Sequence, residues 1–447
     1  DSNVALGYAA LTSDTLGSRS IAIGRDALFN QNFTTATDVY NTAVGHSAGN
    51  AVTTGVQNTI MGGLAADALT VGTHNVALGY AALTTDTKGS ESVAVGNEAL
   101  STQNFTTATD SYNVAVGDVA GKRITTGIQN VLMGARAGDH LTDTDNNVAI
   151  GYSALTAETT GSGSTAVGYN TLGSQNVATG ANVHNTAVGY NAGALITTGT
   201  LNTAIGSLTL DAEVAGHRNT AIGYAALSTQ QSATSSNTSN TAVGFHAGVS
   251  ITSGTQNTII GADCGDGLTF GSNNVIVGQN ADIGAGVSQA IVIGQGVTGA
   301  ANIVTFGSSS NKITSTFTGT PNWAHSSDER LKKNIQDVPL GLTFINDLRP
   351  VTYNWKGNHE LDSSDKELEH LYEENAEDNV FDTTTTQWGF VAQEIKSSLE
   401  KAGVDDWDGW STDEHGVQRL AHTALIEPLV KAVQELSAEV EKLKSGG

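Results

Sequence analysis

From Asn3 to Gly278 the chain repeats one five-residue pattern: Asn or Ser, then Val, Thr or Ile, then a small or apolar residue, then an apolar residue, then Gly. Copies start at Asn3, Ser20, Asn41 and Asn58, so the spacings are 17, 21 and 17 residues, and the larger motif that begins at Asn3 returns at Asn75, Asn147 and Asn219, 72 residues apart. Sixteen copies fit, because the fourth period lacks one 17-residue unit. A fixed short period predicts a solenoid with one short strand per coil. The third and fourth positions are both apolar (Ala5 and Leu6, Ala22 and Ile23, Ala43 and Val44, Ile60 and Met61). Neighbouring strand residues point to opposite faces, so each strand is expected to be buried on both. One face can line its own coil; the other needs a second surface, which a single thin coil lacks. Self-association along the whole shaft follows, with three chains about one axis as the preferred arrangement. The fifth-position Gly, from Gly7 to Gly278, predicts a tight corner or a close approach of two backbones. About seventeen rungs stacked at ~4.8 Å give a rod roughly 80 Å long.

The register fades after Gly278, and Ala290–Gly294 and Asn302–Val304 read as closing rungs. A Ser/Thr/Gly-rich stretch then leads to Pro321, Asn322 and Trp323. Beyond it, Val351–Trp355 predicts a strand, Glu360–Asp378 a solvated acidic loop, and Gly389–Ile395 the opening of a helix that runs through Leu399 and Lys401. Ile426, Leu429, Val433, Leu436, Val440 and Leu443 step by three and four residues, which is a coiled-coil seam. The alternative is an amphipathic helix packed on its own domain. The domains expected are a repetitive β-solenoid shaft over 1–300, a β neck over 301–327 and an α+β domain over 328–447. The fold class is therefore mostly β: a trimeric solenoid shaft of 17- to 21-residue rungs, then an α+β domain ending in a short coiled-coil helix.

Composition narrows the function. The net charge is −24. Residues 328–447 carry 12 Lys and Arg against 25 Asp and Glu, and residues 1–327 carry 8 against 19. That balance argues against nucleic acid and anionic membranes as partners. No apolar run approaches the ~20 residues of a membrane span, and no signal peptide is visible. The chain opens inside a repeat, which points to a longer protein. Cys264 stands alone, so no intrachain disulfide forms; it takes the place of Ala27 and Ala48 and is expected to be a buried small residue. His46, His74, His184 and His246 do not recur at metal-ligand spacing and read as surface residues. No metal or cofactor is expected. Tyr8, Tyr80, Tyr152 and Tyr224 read as a packing ladder before a sugar platform. The repeated Thr53-Thr54-Gly55 reads as strand-forming Thr before a water-ordering array. The insertions at Gln31–Thr35 and Gln103–Thr107 map to loops on one face, which either contact a receptor or stand as solvated bulges.

Two resemblances attach to these residues. The sixteen copies are similar to the left-handed β-roll heads of trimeric autotransporter adhesins over about residues 1–300. The segments Ser327-Asp328-Glu329-Arg330-Leu331-Lys332-Lys333-Asn334-Ile335, Leu348-Arg349-Pro350-Val351-Thr352-Tyr353, Gly389-Phe390-Val391-Ala392-Gln393-Glu394 and Leu425–Ala432 resemble the intramolecular chaperone of bacteriophage tail spikes and fibres, the S74 peptidase family. That resemblance implies a homotrimer with a host cell-surface receptor, a glycan or an outer-membrane component. It implies assembly in the bacterial cytoplasm and residence in the virion tail. It also implies one self-cleavage per chain, with Ser327 as nucleophile, Lys332 as base and the Ser327–Asp328 bond as the one cut. Ser326 lies one residue out of register with Lys332. A Ser–Lys pair can act without His when the Lys loses its proton by desolvation and takes the Ser hydroxyl proton. Two rivals are a bacterial trimeric surface adhesin, which should end in a membrane-anchoring β-barrel, and a polysaccharide-degrading tailspike. The second needs paired carboxylates, and none recur within a rung.

Overall fold

The computed structural model describes residues 2–177, 182–317, 329–374 and 383–446. The chain divides into two compact units, Asp1–Ser326 and Ser327–Gly447.

In the first unit every five-residue copy forms one three-residue strand, from Val4–Leu6 and Ile21–Ile23 through to Val275–Val277. The strands stack in parallel and without slip: Val4 faces Ile21, Ala5 faces Ala22 and Leu6 faces Ile23, and this pattern holds up the sheet. Ile291–Ile293 and Ile303–Gly307 continue the stack as closing rungs, and Lys312–Thr316 turns back antiparallel as the last of the 19 strands. From the second copy on, the third position points inward and is buried, as at Ala22, Ala43, Ile60 and Ala77, while Ala5 in the first rung is exposed. Turn residues such as Leu28, Leu83 and Leu100 fill the rest of the interior. The fourth position points outward, and Met61 is 50% and Ile260 41% exposed. Within one chain, then, each strand is covered on one face only.

The fifth-position Gly answers to both physical reasons for a glycine. Gly117 sits at φ +146°, and a Cβ there would lie 2.5 Å from the carbonyl of Gly134 in the next rung. No L-residue fits that corner. The polar first position is buried, which the hydrophobic pattern does not predict. The Asn58 backbone N–H donates to Asn41 Oδ1 at 2.8 Å, and Asn58 Nδ2 donates to Gly72 O at 3.0 Å. Asn75 repeats both bonds one rung on, at 3.0 Å to Asn58 Oδ1 and 2.9 Å to Gly89 O. The side chain thus works as a buried ladder, and the hydrogen bonds offset the cost of taking the amide out of water.

The other shaft residues fall into place. Tyr152, Tyr169 and Tyr190 stack with centroids 5.6 and 5.3 Å apart, and Tyr224 stacks on Phe245 at 5.5 Å. Neighbouring rings occupy one another's faces at Tyr152 and Tyr224, as in a packing ladder, whereas Tyr8 carries the Arg25 guanidinium 5.8 Å from its ring centroid and Tyr80 is 56% exposed. The Thr reading is corrected: Thr53, Thr125 and Thr197 lie in bends, not strands. Their hydroxyls donate to next-rung carbonyls at 3.1, 3.2 and 3.1 Å, so they stitch rungs together. Cys264 is fully buried, and burial pushes its thiol up to about 12. His46, His74 and His184 are exposed, and His246 Nδ1 lies 3.2 Å from Asp263. The insertions are anchored and not plain solvated bulges: Gln31, Phe33, Gln103 and Phe105 are buried, while Asn32, Thr34, Thr35, Asn104, Thr106 and Thr107 are exposed.

Among the described residues of the second unit are three α-helices, α1 (Leu342–Asp347), α2 (Ala392–Ala402) and α3 (Ile426–Ser445). Two antiparallel pairs join Val351–Tyr353 to Gln387–Gly389 and Trp410–Thr412 to Gln418–Leu420. Leu340, Phe344, Ile395, Leu399 and Leu425 form its core, with Phe390, Trp407 and Trp410 packed against them. α2 starts at Ala392, three residues after the position its motif suggests, because Gly389 pairs with Val351 in the sheet. The described part of the acidic stretch, 360–374, is mostly exposed, with short helical turns at Asn358–Glu360 and Glu369–Leu371.

Candidate functional site

The stretch singled out for self-cleavage opens the second unit. Ser326, the candidate nucleophile Ser327 and the cleavage-site residue Asp328 lie outside the described residues. Glu329–Leu331 form one 3₁₀ turn, closed by the Lys332 N–H donating to Glu329 O at 3.0 Å. Lys332 and Lys333 are both exposed.

The remaining motif segments are brought together. Val351 pairs with Gly389, which joins the second and third segments edge to edge. Arg349 and Glu394, one from each segment, form a bidentate ion pair across that join. Leu425, which opens the fourth segment, enters the shared core. α1 is tied on both sides. Ser398 Oγ donates to Asp347 Oδ2 at 2.7 Å and Lys401 Nζ donates to the same oxygen at 2.9 Å. The Lys401 and Ser398 bonds hold the Asp347 carboxyl below the usual carboxylate range. At its other end α1 is capped from far along the chain: the Leu342 N–H donates to Glu435 Oε2 at 2.7 Å. Glu435 sits so close to Gly341 that a Cβ there would lie 2.4 Å from its carboxylate. This cap from α3, 93 residues away, has no local signature in the sequence.

α3 meets its own domain along one narrow face. Pro428 and Ala432 are its buried residues, and Glu435 continues that line one turn on. The heptad seam points elsewhere. Ile426, Leu429, Leu436 and Val440 are exposed, Val433 is 64% exposed and Leu443 is 79% exposed. Helix α3 is therefore amphipathic in two directions, with the larger apolar stripe uncovered by its own chain. Among the described residues no helix is long and apolar enough to cross a membrane, and no group of three or more His, Cys, Asp or Glu could hold a metal ion.

Residues 327–404 match the family of the chaperone of endosialidase, Peptidase S74. The match begins on Ser327 and ends before the Trp410–Leu420 hairpin and α3. No curated protein matches the chain. With the stacked rungs of the first unit and this match at the head of the second, the chain is a β-solenoid shaft that carries a C-terminal chaperone-of-endosialidase domain of the S74 peptidase family.

Proposed function

We propose that the chain is a phage tail fibre or spike whose C-terminal domain assembles three shafts and then cuts itself away. The observation that carries this is the family match that begins on Ser327, the first residue of the second unit. The domain boundaries proposed are shaft 1–300, neck 301–327 and chaperone 328–447. Lys332 takes the proton of the Ser327 hydroxyl, and that oxygen adds to the Ser327 carbonyl carbon of a neighbouring chain, since its own carbonyl would close a four-membered ring; the C–N bond to Asp328 breaks as the ester forms, Lys332 returns the proton to the leaving Asp328 nitrogen, and water hydrolyses the ester. The products are a new carboxylate on Ser327 and a new amine on Asp328. The freed shaft stays in the virion tail and attaches to a receptor on the host surface, a glycan or an outer-membrane component.

Two uncovered apolar surfaces support the trimer. One is the outward fourth-position column of the shaft, with Met61 and Ile260 exposed; the other is the α3 seam. A soluble monomer rarely shows more than a few hundred Å² of contiguous apolar surface. Pairing identical rungs between chains invites wrong registers, and a helical seam that forms first brings the three chains to a common start.

The seam gives the test. In a Ser327→Ala background, light scattering should return three times the 45.8 kDa chain mass. Adding Leu436→Asp buries a charge in the seam and should abolish soluble trimer and lower soluble yield at least about tenfold, since an unpaired buried charge costs several kcal/mol. A full yield of trimer from the doubly changed chain would remove α3 from the assembly mechanism.

A further inference from the structure

The twelfth residue of each of the first fifteen rungs forms one column down the shaft, buried above the half-buried Asp14, and its chemistry is not random. Read upward from Asp14, the column runs Asp14, Gln31, Val52, Leu69, then Asp86, Gln103, Ile124, Leu141, then Glu158, Gln175, Ile196, then Glu213, Gln230, Ile251, Leu268. The order is acid, Gln, apolar, apolar, and the shortened period drops one apolar member. Every Gln stands in a 21-residue rung, and every acid stands in the rung before it. Asp86, Glu158, Glu213 and all four Gln are fully buried, as are the apolar members.

The contacts repeat at all four places. Gln Nε2 donates to the acid below at 2.8, 2.6, 3.0 and 2.7 Å, from Gln31 up to Gln230. Gln Oε1 accepts from the ladder Asn above, at 2.9 Å from Asn41 and Asn113 and 2.8 Å from Asn185 and Asn240. Each acid also accepts a backbone N–H three residues on, as Asp86 does from Gly89 at 2.9 Å and Glu158 from Gly161 at 2.7 Å. Asp86 reaches the base of the inserted loop as well, accepting the Phe105 N–H at 3.3 Å.

We propose that these acid–Gln pairs are register marks. The rungs are near copies, so a coil that skips one repeat and loops it out loses little apolar packing. Such a skip is costly only if it separates groups that cannot be buried apart. A loop-out between an acid and its Gln sets a buried carboxylate against Val, Leu or Ile, and an unpaired buried charge is among the least tolerated of core defects. The pairs thus fix which rung each 21-residue rung stacks on, and so where the four inserted loops emerge. Their task is specificity of stacking rather than total stability, since apolar groups at both positions would pack well.

A cycle on the second pair, in the full chain, separates the two roles. Gln103→Leu leaves Asp86 without its partner, and hydrogen exchange over 86–113 should lose at least tenfold in protection relative to the untouched 158–185 of the same molecule. Asp86→Leu with Gln103→Leu should restore strand protection and the melting temperature. It should also create a fraction of chains that protease cuts between residues 75 and 130, the mark of a looped-out rung. A double variant as resistant to protease as the parent would overturn the register role. So would a double variant that melts as low as Gln103→Leu, because the pair would then be needed for stability alone. Unchanged protection in Gln103→Leu would show that the pair marks nothing.

Discussion

Ser327→Ala and Lys332→Ala should each leave the chain whole at 447 residues, while both still form trimers. The expected fall in cleavage rate is on the order of 10⁴-fold or more, the scale seen when a nucleophile or its base is removed. Assembly should survive because neither residue belongs to the α3 seam or to the core of Leu340, Phe344, Ile395, Leu399 and Leu425. Lys332 is exposed in the single chain. Burial favours the neutral form of a lysine, so a site that assembly covers would make cleavage follow assembly and not precede it. Lys333→Ala is the control. A gel in which Lys333→Ala stays whole and Lys332→Ala is cut would move the base by one residue. Uncut Leu436→Asp chains, beside cut parent chains, would fit a site completed by assembly.

The second large effect separates making the shaft from keeping it. A chain ending at Ser327 and expressed alone should be mostly insoluble, with at least about tenfold less soluble protein than the full chain. The same residues released by self-cleavage should stay soluble and resist heat and detergent as a trimer. The cause is the outward column, where Met61 and Ile260 leave an apolar stripe along the shaft. Unaligned chains bury that stripe in whatever register they meet, and aligned chains bury it once. After the cut the assembly aid is gone, so the shaft cannot unfold by reversing its own assembly and persists kinetically. Light scattering on both preparations decides. A soluble monomer from the truncated chain would sink the trimer and the chaperone role together.

Much of the fold was legible because the pattern carries its own physics. Apolar third and fourth positions followed by Gly could only be short strands turning tight corners, and the strands Val4–Leu6 to Val275–Val277 fall on those residues. The heptad spacing located α3, whose seam is left uncovered by its own chain. What stayed hidden depends on partners far apart in the chain. An Asn at the first position looks like a surface residue until a second Asn 17 residues on shows it to be a rung of a buried ladder. Asp86 and Gln103 look like loop residues for the same reason. The Glu435 cap on Leu342 and the pairing of Gly389 with Val351 are tertiary contacts that no local window contains. The Ser327 and Lys332 assignment rests on a motif and on nothing in the polarity pattern, because a Ser and a Lys five residues apart leave no mark on periodicity.

The most direct measurement is an intact-mass and N-terminal analysis of freshly expressed full-length chain. The account predicts two species, residues 1–327 and residues 328–447, with Asp328 as the new N-terminus. A new N-terminus at Ser327 would mark a different chemistry, attack of the Ser327 hydroxyl on the Ser326 carbonyl through a five-membered ring, and would contradict the assigned bond. A chain that assembles into trimers and remains whole would contradict self-cleavage itself.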